Sequence, residues 1–305
     1  MRARYIQMGA TGCRCVLLSL LVLGGLLGPA QARSLAEIQQ TKELRVCLAA
    51  MRPSSVVATP PGCRDDCTFS GPVYDEVVAF ATTLGQAIRL KLLRVDWDEQ
   101  FFNQDGKTER EAGYTPALLA AGTCDVYPSN VTKTAWRLKK LAFVTLFPSR
   151  MMVLVHQAHK ARFLTPADLA GKMVTTAKDT NYHSWLQEQN NGAYAAHPLR
   201  IQLIGTTDDA IKAVDAGEVD FTVVNADAAI WATRYQYKNV VVVFPVGPIE
   251  EVGWAFRIED TDLQAAVQTF FEAQKAMATS TVNQIWERAF GLTLTKFERL
   301  VRATR

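Results

Sequence analysis

Apolar and polar positions follow two periods along this chain, and the switches between them predict an α/β protein. LRVCLAA (44–50) and RLKLLRVDW (89–97) are apolar runs of strand length. Between them Val77, Val78, Phe80, Ala81 and Leu84 recur at helical spacing until Gly85 stops the pattern. Strand, helix, strand is the rhythm of a parallel sheet. Ser34-Leu35-Ala36-Glu37 is a capping-box pattern that opens a short helix through about Leu44. The stretch to Ser70, with Pro53, Pro60, Pro61 and Gly62, reads as irregular. A second unit begins at Thr165-Pro166-Ala167-Asp168, a capped helical turn, followed by the strand KMVTTA. A helix over Ser184 to Gln189 and the strand RIQLIG (200–205) come next. A helix end and two strands are expected over 231–257. A helix from Asp262 to Met277 and a helical region ending near Arg305 close the chain.

The pattern contains an internal echo. TPALLAAGTCDVYPSN (115–130) and DDAIKAVDAGEVDFTVVN (208–225) each carry a helix ending at glycine, an aspartate three residues on, an apolar strand, and an asparagine five residues after the aspartate. The pairs are Gly122 and Gly217, Asp125 and Asp220, Asn130 and Asn225. Ligands of open α/β sheets sit beyond the carboxyl ends of the strands. Two such units facing each other would enclose a cleft.

The first 32 residues stand apart. Arg2, Arg4 and Arg14 precede the apolar run CVLLSLLVLGGLLG, and Ala30-Gln31-Ala32 has the small-x-small form of a cleavage site. That is the composition of a signal peptide, and its run is short for a bilayer span. A soluble periplasmic protein is expected. The formal charge of +3 falls to zero once these three arginines are removed, which gives no support for nucleic-acid binding. Of the remaining cysteines, Cys63 and Cys67 lie close together in a Pro/Gly-rich loop. A local disulfide suits an oxidising compartment better than a metal site, because no second Cys-x-x-Cys accompanies them. Cys47 and Cys124 either pair or stay buried as thiols. His156, His159, His183 and His197 have no ligand-type spacing, so neither a metal nor a cofactor is expected.

Five segments in order resemble the family 3 solute-binding proteins, the periplasmic components of amino-acid ABC importers. They are SLAEIQQTKELRVC, GPVYDEVVAFATTLG, GTCDVYPSNVTKTAWRLKKLAFV, TPADLAGKMV and EEVGWAFRIEDTDLQAAV. The resemblance implies a two-lobed periplasmic-binding-protein fold, each lobe a mostly parallel sheet flanked by helices, joined by two hinge crossings. Lobe one would comprise 33–152 and return over 249–305, with 153–248 forming lobe two. It also implies a monomer that closes around a small-molecule ligand and delivers it to a membrane permease.

The same resemblance points to site residues. Arg137 matches the arginine that clamps a ligand carboxylate, for which a guanidinium offers a planar fork of donors. Ser129, Asn130 and Thr132 would face the same ligand. Thr180 and Asn181, at a predicted helix start, would contribute from lobe two. Where amino-acid binders carry an acid for the ligand ammonium, this chain has Asn225, with Asp227 as a substitute two residues on. Arg52 stands where an aromatic residue usually covers the ligand, which favours an anionic solute if it faces the cleft. Tyr74 and Asp75 match the start of the family's first long helix, an architectural role. Ligand capture without chemistry is the leading expectation. One alternative is an accessory or sensor module of the kind that precedes lytic transglycosylase domains or accompanies quinoprotein dehydrogenases. The other is a cyclic-acid dehydratase with an acid from Glu250 or Glu251.

Overall fold

The computed structural model describes Met1 and residues 33–50 and 55–304. Arg52 and the expected signal segment lie outside the described residues. Among these no helix is long and apolar enough to cross a membrane.

The first half of the chain builds lobe one. α1 (Leu35–Thr41) opens on the reciprocal Ser34–Glu37 capping box and buries Ile38. It ends before Leu44 because Lys42 turns left-handed and Glu43 already pairs with Arg89. β1 (Glu43–Ala49) lies parallel to β4 (Arg89–Val95), and α2 (Pro72–Thr83) packs between them in sequence. The Pro/Gly-rich stretch is more ordered than its composition suggests. β2 (Val57–Thr59) and β3 (Thr68–Ser70) form a hairpin, and Cys63 and Cys67 are disulfide-bonded across its loop. Next come α3 (Ala117–Ala120), β5 (Tyr127–Thr132) and α4 (Ala135–Leu138).

β6 (Ala142–His156) leads into lobe two, which holds β7 (Met173–Ala177), α5 (Asn181–Asn191), β8 (Arg200–Ile204), α6 (Thr207–Asp215), β9 (Phe221–Asn225) and α7 (Ala226–Trp231). α5 starts three residues before the expected Ser184 because the Thr180 hydroxyl caps the His183 amide. β10 (Val240–Phe256) returns to lobe one, where α8 (Thr261–Ala276), α9 (Thr281–Phe290) and α10 (Leu294–Ala303) complete the chain.

Instead of two strands, residues 240–256 form one strand of 17 residues, paired antiparallel with β6 along its whole length. Its register shifts between Val242 and Pro245, between Val246 and Ile249, and between Val252 and Gly253. Prolines at 245 and 248 and the left-handed Gly247 bend the ladder there without ending it. At Gly253 a Cβ would collide with the Val144 carbonyl, so only glycine lets the two strands cross this closely. The described strands β5-β10-β6-β9-β7-β8 are continuous, so one sheet threads both lobes through the crossing pair. Among the described residues the parallel ladders are β1–β4 and β7–β8–β9, with a single parallel bridge from Val46 to Val126 just before β5; the crossing strands are antiparallel.

Each lobe has its own core. In lobe one Phe80, Trp254, Phe271, Trp286, Phe290 and Phe297 pack edge-on or tilted between the sheet and α2, α8, α9 and α10. A smaller cluster on the other face holds Phe101, Tyr127 and Val131 with the disulfide Cys47–Cys124, which settles the pairing that sequence leaves open. Lobe two packs Val153, Val155, Val174, Leu186, Phe221 and Val223.

Candidate functional site

The echo has a physical basis. Gly122 and Gly217 end α3 and α6 with φ of +65° and +71°. The aspartates then clip the adjoining strand: Asp125 Oδ2 accepts from the Arg45 amide at 2.9 Å, and Asp220 Oδ2 from the Met173 amide at 2.8 Å. With each strand so registered, Asn130 and Asn225 come to line one cavity of about 10 Å³ between the lobes. That is room for about one water molecule. Trp97, Thr132, Thr180, Asn181, Tyr182 and Thr207 complete its lining.

The polar side chains form a chain across the lobes. Asn225 Nδ2 donates to Thr132 Oγ1 at 3.5 Å, and Asn181 Nδ2 faces Asn225 Oδ1 at 3.4 Å. The Asn225 amide donates to the Tyr182 hydroxyl at 3.1 Å. Asn181 Nδ2 also donates to Glu250 Oε2 at 2.7 Å.

Arg137, held by the short helix α4, is fully buried behind this group and does not itself line the cavity. Its Nη1 donates to the Thr132 carbonyl at 2.7 Å and its Nη2 to the Asp179 carbonyl at 2.9 Å, so one guanidinium touches both lobes. The rings of Phe101, Trp136 and Trp97 surround it at 4.8, 5.0 and 5.4 Å. Burial pushes its pKa down to about 9, with Glu250 opposing that shift; it is charged at neutral pH. Glu250 responds in kind: burial raises its carboxyl, while Asn181 and Arg137 pull it back.

Several expectations move. Ser129 does not line the cavity; its hydroxyl accepts from the Ala49 amide and fixes the end of β1. Asp227 is buried in the first turn of α7, close enough to Glu76 to raise its pKa, and is absent from the lining. It does not substitute for the acid missing at Asn225. The acid that reaches the amide group is Glu250 on β10, through Asn181, since Glu251 points outward to Lys133 at 2.9 Å and Thr145 at 3.1 Å. Thr180 both caps α5 and lines the cavity.

Trp97, Asp179, Tyr182 and Thr207 were not singled out as site residues from sequence. A usable signal exists: Trp97, Asp179 and Thr207 follow the carboxyl ends of β4, β7 and β8 within three residues, where ligands of α/β sheets sit. Among the described residues, the one cluster with metal-ligand atoms in reach is Cys63, Asp66 and Cys67, whose thiols are already joined as a disulfide.

The architecture has counterparts among solved structures. A variant of ArgBP from T. maritima superposes with a TM-score of 0.66 at 21% identity, covering 85% of this chain and 100% of that one. An amino-acid ABC transporter substrate-binding protein, AbpA from Streptococcus pneumoniae bound to L-arginine, gives 0.66 at 17% identity over 84% and 98%. The chain has the periplasmic-binding-protein fold. These neighbours are of the kind that its sequence resembles. No family model matches it. Among curated relatives, the membrane-bound lytic murein transglycosylase F of Desulfosudis oleivorans is 28% identical over 213 residues, 68% of this chain and 42% of the relative. The L-cystine-binding protein TcyJ of Escherichia coli is 29% identical over 184 residues, 59% of this chain and 65% of TcyJ. The chain therefore spans less than half the length of that transglycosylase and under two thirds of TcyJ. In this fold, the cavity with Asn130 and Asn225 lies between the two lobes.

Proposed function

We propose that the protein is a periplasmic solute-binding protein that captures a small carboxylate-bearing or amino-acid-like solute by hinge closure and delivers it to an ABC importer. The observation that carries this reading is an interlobe cavity walled by amides and hydroxyls, with Arg137 and Glu250 supplying opposite charges beside it. Arg137 Nη1 and Nη2 each have a second N–H beyond those given to the Thr132 and Asp179 carbonyls, and these would receive the carboxylate. Glu250 would receive an ammonium group, the role that Asn225 cannot fill. The bends in β6 and β10 are the natural hinge, and the lobes must part for a solute to enter so small a space. A solute shifts that equilibrium only by binding the closed form better than the open one.

A thermal-shift screen of amino acids, dicarboxylates and small anions tests the reading. A solute at a hundred times its Kd should stabilise the fold by about 2.7 kcal/mol. Arg137→Ala should abolish any hit, and full affinity in that folded variant would sink the clamp. Glu250→Gln should weaken amine-bearing solutes by roughly tenfold or more while sparing simple carboxylates, as expected for a lost charged hydrogen bond. Equal losses for both classes would argue against its ammonium role.

Two other readings each have one observation in their favour. The transglycosylase F relatives match over 42% of their length, which favours an accessory or sensor module. A buried carboxyl raised in pKa beside a guanidinium favours a dehydratase, and an ancestral amino-acid-binding protein described as a precursor of cyclohexadienyl dehydratase has the same fold at 22% identity and a TM-score of 0.66. Turnover of a cyclohexadienyl acid, lost in Glu250→Gln, would establish the latter.

A further inference from the structure

The loop between Phe102 and Thr115 leaves lobe one and reaches lobe two through the Arg110 side chain. Arg110 Nη2 meets Asp179 Oδ1 at 2.8 Å, and Arg110 Nη1 donates to Ser184 Oγ at 3.1 Å. The loop is braced from below. The buried Lys140 ammonium donates to the Arg110 and Ala112 carbonyls and sits 4.5 Å over the Tyr114 ring. The Arg110 guanidinium lies 5.2 Å over Trp136, the same ring that Arg137 packs against at 5.0 Å.

Asp179 is the meeting point. Its carboxylate takes Arg110, and its carbonyl accepts from both Arg137 at 2.9 Å and Trp97 at 3.4 Å. It stands in the left-handed region, φ +57°, which aspartate tolerates but does not prefer. A carboxylate anchored there fixes the turn, and the turn aims the carbonyl. Three donors of lobe one thus converge on one residue of lobe two.

We infer that Arg110 is a positioning residue that latches the two lobes through Asp179 and, by fixing that turn, holds Arg137 in place. The latch is a contact of the closed form that needs no solute, so it shifts the empty protein toward closure. A solute then meets less of an ordering cost on closure, and the latch sets affinity as much as the cavity does. The inference rests on the hinge-closing reading, and its test needs no solute.

The experiment is single-molecule fluorescence transfer between one dye on each lobe, in the solute-free protein, across a range of salt. Arg110→Gln should raise the open-to-closed ratio about tenfold, the scale of a charged hydrogen bond between partly buried groups. Wild type should open further as salt rises, and the variant should respond much less. Asp179→Asn, which keeps a residue suited to the left-handed turn and also removes the 4.0 Å approach of Lys178, should match Arg110→Gln. Arg110→Lys should restore part of the closed population. If both neutral variants keep the wild-type ratio and salt response, the latch is overturned, even if their melting temperatures fall. A solute screen that finds nothing while the latch variants open would count against solute capture and leave the latch standing.

Discussion

Glu76→Gln is expected to stabilise the protein at alkaline pH and to flatten its pH dependence. Glu76 is buried in α2, where Trp286 Nε1 donates to its Oε1 at 2.7 Å and Asp227 lies close by. Burial pushes its carboxyl up to about 8, from an ordinary 4.5. The folded protein therefore holds this proton more tightly than the unfolded chain does. The stability that Glu76 contributes is complete below pH 4.5, declines as pH rises and is gone above about 8. A shift of this size corresponds to on the order of 3 kcal/mol or more between the two ends of that window. Glutamine can still accept from Trp286 and carries no charge to desolvate. Urea unfolding at pH 5 and pH 9 should show wild type losing stability across this interval and Glu76→Gln losing much less. Parallel losses would show that the carboxyl is ionised in the fold at little cost.

Removing the Cys47–Cys124 disulfide should destabilise the protein more than removing Cys63–Cys67. The first closes a loop with a sequence separation of 77, the second a separation of 4. Chain entropy scales with loop length, and for the longer loop the contribution is about 4 kcal/mol, against roughly half of that for the short one. Position adds to the contrast. Cys47 and Cys124 are fully buried and tie β1 to the start of β5, which carries Asn130 and Thr132, whereas Cys63–Cys67 closes a surface hairpin. Cys47→Ala with Cys124→Ala should lower the unfolding midpoint in urea markedly, and Cys63→Ala with Cys67→Ala only slightly. Equal effects would mean that the unfolded chain is not appreciably freed by opening the long loop.

Much of the frame was legible in the sequence. The apolar runs at 44–50, 89–97 and 200–205 and the helical spacing after Tyr74 are local signals, and each became an element within a few residues of its expected bounds. What composition hid was order within the Pro/Gly-rich stretch, because a short hairpin leaves few residues on which a period can be read. The continuous β10 was hidden for the opposite reason: Pro245, Gly247 and Pro248 read as breakers, yet pairing with β6 on one edge carries the strand through them.

The site divides in the same way. Sequence alone determined the repeated helix–glycine–aspartate–strand–asparagine unit, since every part of it lies within a few residues of the next. It also pointed to Arg137, through the family resemblance that an ordered set of short motifs carries. Only the tertiary structure decided that Asn130 and Asn225 line one cavity, that Ser129 and Asp227 are drawn elsewhere, and that the nearby acid is Glu250. These are pairings between residues far apart along the chain, such as Arg137 with Asp179, 42 positions on, and Thr132 with Asn225, 93 positions on. Local periodicity carries no term for such distances; they are set when packed cores and a bent pair of crossing strands bring the lobes face to face.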